Sequence, residues 1–115
     1  MPPRLRTDFW VAALRRRAEN AGAYVSIPRK GAEEAGTVFI LVDRLDGRVD
    51  LYGPAPQTAF DDERPSDRLF SLLIAGENAA SAQSRMDQEL RFDPDLWLVE
   101  IEDRDGRPFV DQAAD

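Results

Sequence analysis

The sequence predicts one α+β domain: a small antiparallel sheet of four or five strands with two helices packed on one face, in the order α-β-β-β-β-α-β. Three observations predict it. Two stretches, one near the start and one after Asn78, repeat apolar residues every three or four positions, as amphipathic helices do. Short runs rich in β-branched and aromatic residues lie between and after them, bounded by Gly, Pro and Asp turn signals. Four of these strand-like runs follow one another without an intervening helix, which argues against alternating βαβ units.

The first helix is expected from about Asp8 to Ala21, with Thr7 as its N-cap and Gly22 as its stop. Its buried stripe is Val11, Leu14, Ala18 and Ala21, widened by Phe9 and Trp10, while Arg15, Arg16 and Glu19 fall largely on the other side. Tyr24 to Ile27 alternates like a strand, and Pro28, which has no N–H to donate, puts it at a sheet edge. Thr37 to Arg44 holds five consecutive apolar residues, Val38 to Val42, and belongs at the centre of the sheet. Asp46-Gly47 then marks a hairpin. A two-residue turn would set Asp43 opposite Asp50, and a turn with a glycine bulge would set Leu41 opposite Leu51; the first is preferred. Tyr52 to Gln57, with Gly53, Pro54 and Pro56, reads as an extended loop rather than a central strand. Leu69 to Ile74 is the fourth strand, ended by Gly76. Asn78 caps a second helix to about Arg91, with Ala79, Ala82, Met86 and Leu90 inward. Asp93-Pro94-Asp95 breaks that helix before the alternating strand Trp97, Val99, Ile101, and Asp105-Gly106 makes the last turn.

With 115 residues there is room for one core, expected to be ordered over about 7–110 with frayed ends. A composition of 43% hydrophobic and 32% charged residues is that of a folding chain. Cysteine and histidine are both absent, which removes thiolate chemistry, the common zinc ligands and imidazole acid–base catalysis. No apolar run approaches the roughly 18 to 20 residues that span a bilayer, and Met1 to Arg6 is unlike a signal peptide, so a cytoplasmic protein away from membranes is expected.

The formal charge of −7 is uneven: seven basic groups against two acids give residues 1–30 a net +5, leaving −12 on the remainder. Arg15, Arg16 and Arg17 splay around a helical turn instead of forming a flat row for phosphates, and no aromatic-studded strand offers base stacking. Nucleic-acid binding through the basic start is therefore an alternative reading and not the expected one.

Catalytic candidates are limited to the carboxylates Asp43, Asp50, Asp93 and Asp95. An opposed Asp43–Asp50 pair would raise one pKa, as in acid–base dyads, unless Arg44 or Arg48 neutralises it. The acidic run Asp61-Asp62-Glu63 is better read as solvated loop charge than as a cation site, and Asp103-Arg104-Asp105-Gly106 lacks the rest of a calcium loop and reads as a turn. Binding candidates are the stiff loop residues Tyr52, Pro54, Pro56 and Gln57, and the helix residues Arg15 and Arg16. No metal and no cofactor are expected.

Phe9-Trp10-Val11-Ala12-Ala13-Leu14, Arg44-Leu45-Asp46-Gly47, Leu51 to Gln57 and Arg91 to Trp97 together resemble the alphaproteobacterial family called domain of unknown function 1491, over about residues 4 to 110. The resemblance implies a small single-domain protein and carries over no activity, cofactor or catalytic residue. Lys30 is the only lysine among fifteen basic residues, consistent with a GC-rich genome. The sequence thus supports a non-enzymatic binding or accessory protein, with a protein partner or self-association. A carboxylate-dependent hydrolase or transferase, with or without magnesium assistance, is the enzyme alternative.

Overall fold

In the computed structural model, residues 5–56 and 68–113 are described. The elements are α1 (Thr7–Asn20), β1 (Tyr24–Arg29), β2 (Val38–Asp43), β3 (Val49–Pro54), β4 (Phe70–Glu77), α2 (Ala79–Phe92) and β5 (Trp97–Glu102), which is the order expected. They build one five-stranded sheet in the spatial order β1-β5-β2-β3-β4.

The sheet is mixed, where an antiparallel one was expected: β5 runs parallel to β2, and every other pairing is antiparallel. The crossover explains it. The β2–β3–β4 meander leaves β4 running in the direction of β2, α2 carries the chain back over the sheet, and β5 sets off again in the same direction between β1 and β2.

The helices lie on opposite faces, which corrects the expectation that they share one. Val38, Ile40 and Val42 of β2 pack with Val11, Leu14 and Ala18 of α1. Phe39 and Leu41, pointing the other way from the same strand, pack with Met86 and Leu90 of α2. An unbroken apolar run of five residues is what a strand covered on both sides requires, and that property of β2 implies two helical layers.

Local chemistry sets the element ends. Asn78 caps α2 by accepting a hydrogen bond from the Ser81 N–H at 2.9 Å. Thr7 is not a cap. It is the first residue of α1, fully buried, and its hydroxyl donates to the Gly36 carbonyl at 2.9 Å. The side chain that looks like a helix signal instead ties the helix to the β1–β2 loop.

The hairpin takes the other register: Leu41 pairs with Leu51, Val42 with Asp50 and Asp43 with Val49. Leu45 (φ 63°) and Gly47 (φ 88°) both occupy the left-handed region, and the Asp43 and Asp46 carboxylates accept the Leu45 and Arg48 N–H groups. The loop is longer than two residues, so the pairing slips by one and every side chain on β3 changes face.

β3 also runs through Gly53 to Pro54, a stretch expected to be loop. Pairing with β2 reaches only Tyr52, so no neighbour on that side asks for the N–H that proline lacks. Gly53 is required by packing, because a Cβ there would lie 2.6 Å from a Leu73 methyl and 2.8 Å from the Phe39 ring.

Candidate functional site

The side chains expected to act together are kept apart. The observed register puts Asp43 and Asp50 on opposite faces, so they form no dyad. Asp50 is fully buried and accepts hydrogen bonds from Arg44 Nε at 2.8 Å and the Gly76 N–H at 2.7 Å, with Arg44 Nη2 2.7 Å away. It fastens the hairpin to β4, and Arg44 neutralises it. Asp93 and Asp95 precede β5, whose first residue pairs with Val38 at the start of β2, whereas Asp43 pairs with Glu102 at the far end. The Asp93 carboxylate is used locally, accepting the Asp95 N–H at 3.0 Å.

Of the binding candidates, Tyr52 is buried against the α1-face core, where burial first and Asp50 second hold its phenol above the ordinary range. Pro54 and Pro56 are exposed, and Gln57 lies outside the described residues, as do Asp61, Asp62 and Glu63. Arg15 pairs with Glu19 at 3.4 Å, Arg16 is exposed, and Arg17 donates to the Phe109 carbonyl at 2.8 Å. The three arginines go separate ways, as the helical spacing predicts. Asp103 closes the expected turn, nearly buried in a fork from Arg107 with contacts of 2.8 and 2.9 Å, and the Arg107 guanidinium holds its carboxyl below the usual range.

A different grouping of carboxylates stands without a cation among the described residues, although Asp43 accepts the Leu45 N–H. On the α2 face, Asp43 of β2 and Glu102 of β5 are directly paired, and Glu100 lies two residues before Glu102 on the same side. Like charges on neighbouring strands repel. Burial, and then the fields of Asp43 and Glu102, push the Glu100 carboxyl above its ordinary value. No arginine or lysine pairs with any of the three among the described residues.

Glu100 borders a groove of about 240 Å³ between α2 and the sheet, lined also by Pro28, Leu41, Ala82, Met86 and Leu98. The groove exists because α2 packs over β3 and β4, leaving the β5–β1 part of this face without a helix. Tyr24, paired with Glu102, is 62% exposed there. Glu100 and Glu102 are not among the residues the sequence singles out, because they alternate with Val99 and Ile101 as in any half-buried strand. The signal that would have found them is the parallel β2–β5 pairing, which brings Asp43 beside them and which no local pattern encodes. The three do not converge as metal ligands, and among the described residues no group of three or more carboxylates is placed to hold a metal ion.

No curated protein matches the chain. Solved structures do. The crystal structure of a DUF1491 family protein from Caulobacter crescentus CB15 is 38% identical, covers 96% of this chain and 98% of its own, and superposes with a TM-score of 0.78. The solution structure of protein Atu0922 from A. tumefaciens is also 38% identical, covers 97% of each chain and gives a TM-score of 0.83. The family model described as a protein of unknown function (DUF1491) matches residues 5–111, which spans α1 through β5 and the segment that returns to β4. On that match, and on fold and sequence agreement along nearly the whole length, the protein belongs to the DUF1491 family.

Proposed function

We propose that this protein is a binding or accessory module that acts by engaging a protein partner, and not an enzyme. One observation carries the reading: the uncovered β5–β1 part of the α2 face combines apolar side chains, an exposed Tyr24 and three unneutralised carboxylates. A sheet face left half bare in water is unfavourable unless something covers it in use. The carboxylates that would serve an acid–base enzyme point the other way. Asp43 and Asp50 occupy opposite faces, Asp50 is saturated by Arg44 and Gly76, and Asp93 and Asp95 sit at the other end of the sheet. The overall charge of −7 agrees with an absence of nucleic-acid or anionic-membrane binding.

The test is site-specific photo-crosslinking in the native host. A photoreactive side chain replacing Tyr24 is expected to trap one discrete protein adduct, and the same group replacing Arg16 on the exposed side of α1 is expected to trap none. Adducts from position 16 alone, or from neither position, would overturn the assignment of this face.

A further inference from the structure

The part of the α2 face beside α2 has the dimensions of one more helix. Five strands spaced about 4.8 Å apart span roughly 19 Å between their outer axes, and a helix with its side chains is about 10–12 Å across. Two helices side by side therefore cover such a sheet, and this face carries one. The opposite face solves the same problem internally, because α1 shares one core with residues from Val25 of β1 to Phe70 of β4, and Phe109 and Val110 of the tail pack against that core.

The chemistry of the bare strip says what fits it. Its apolar floor runs from Met86 and Leu41 to Leu98 and Pro28. Next to that floor lie Glu100 and then the Asp43–Glu102 pair, with no cation against any of them among the described residues. Elsewhere in the chain a buried carboxylate brings its own arginine, as Asp50 does with Arg44 and Asp103 with Arg107. The missing cation at Glu100 is thus a local departure from the way this chain treats its acids.

An added edge strand fits less well. β1 contains Pro28 and a register shift between Ser26 and Arg29, both of which blunt an edge against pairing.

We infer that this strip docks a basic amphipathic helix of a partner protein, its apolar stripe on Leu41, Leu98 and Pro28 and its Lys or Arg side chains over Asp43, Glu100 and Glu102. The inference rests on the binding reading above and adds the chemistry of the partner. Docking would supply the countercharge the three acids lack, and it would bury Tyr24, an amphipathic ring of the kind that anchors interfaces.

The experiment uses the full chain and three synthetic helical peptides. The first has leucines at a spacing of three and four with arginines on both flanks, the second replaces those arginines with glutamates, and the third keeps the first one's composition in scrambled order. Amide resonances of ¹⁵N-labelled protein are followed during titration. The first peptide is expected to shift Tyr24 to Pro28 and Leu98 to Glu102, with an affinity that falls as salt rises. The triple variant Asp43→Asn, Glu100→Gln, Glu102→Gln is expected to weaken it about tenfold or more, in line with charge pairs of this kind. These substitutions relieve repulsion, so the variant keeps its fold, and an unchanged amide spectrum away from the strip verifies that. Equal binding of the glutamate peptide overturns the charge assignment, equal binding of the scrambled peptide overturns the helix, and no shift from the first peptide overturns both. A cross-linked partner that meets Tyr24 through an acidic or neutral segment sinks this inference while leaving the binding reading standing. Loss of the adduct itself sinks the binding reading.

Discussion

The two faces of the sheet are made from the same strands and finished differently. On the α1 face the closure is redundant. Leu14 is fully buried in the same core as Ile40 and Val99, Trp10 stacks on Phe70 with ring centroids 5.5 Å apart, and Arg68 lies over Trp10 and donates to Thr7. The tail then returns to bond both the N–H and the carbonyl of Phe70. On the α2 face Ala82 and Met86 are the buried residues of the helix, and the strip over β5 and β1 is left to Glu100, Glu102 and Tyr24. The difference teaches that the two faces are closed unequally. One face is packed for the fold, and the other leaves charges and apolar surface open, which is where the binding proposed above would take place.

The sharpest way to break that comparison is to truncate one buried side chain on each face. Leu14→Ala should cost about 3–5 kcal/mol, near the top of the range for buried leucine, because the surrounding α1-face core is closed and cannot collapse into the hole. Met86→Ala should cost about 2 kcal/mol, since the cavity it leaves adjoins an open groove and a flexible side chain is what is lost. Urea denaturation of both variants reads this directly. Equal losses would mean that the α2 face supports the fold as fully as the α1 face does.

A second measurement separates the two kinds of acid. Asp50 is fully buried and serves as acceptor for Arg44 and Gly76 at once. Asp50→Ala should therefore destabilise by about 2–3 kcal/mol, chiefly through the Gly76 N–H left without an acceptor. Asp50→Asn, which keeps one oxygen, should cost less. If Asp50→Ala unfolded no more readily in urea than Glu102→Ala, the contrast between saturated and unsaturated carboxylates would be lost.

What the sequence made legible follows from how local each signal is. The Asn78 cap, the edge position of β1 with its Pro28, the central place of β2 and the breaks at Gly22 and Asp93 are decided within a few residues, and the structure carries them. The hairpin register depends on whether Leu45 accepts a left-handed conformation, which a leucine does only when the loop around it compensates, so composition favoured the wrong turn. That slip of one residue then misplaced Asp50 and created the apparent dyad. The helix faces required reading the Val38–Val42 run as covered on both sides. The candidate site was the least legible part, because Asp43 and Glu102 are distant in sequence and become neighbours only through the parallel crossover of β5. A family resemblance supplied the lineage and no site, so nothing corrected this omission.

The smallest expected effect is the one that tests the contrast most selectively, because it turns on sign instead of size. Glu100 has its carboxyl raised by burial and by Asp43 and Glu102. Between the ordinary glutamate value and that raised value the folded state holds more protons than the unfolded one, so stability falls as pH rises through this window. Glu100→Gln removes that slope and should raise stability at neutral pH by a few tenths of a kcal/mol, the exposure of the group keeping the effect small. Asp103 behaves oppositely. Its carboxyl is lowered by the hydrogen bonds and charge of Arg107, so the stability it lends is present above the ordinary aspartate value and is lost as pH falls through the depressed folded value. Asp103→Asn should thus destabilise at neutral pH and flatten the acid limb, while Glu100→Gln stabilises at neutral pH and leaves that limb in place. Urea midpoints of the wild type and both variants, measured from acid to neutral pH, decide it. Two variants that shift stability in the same direction at neutral pH would show that Glu100 is as well neutralised as Asp103, and that the bare strip carries no stored repulsion for a basic partner to relieve.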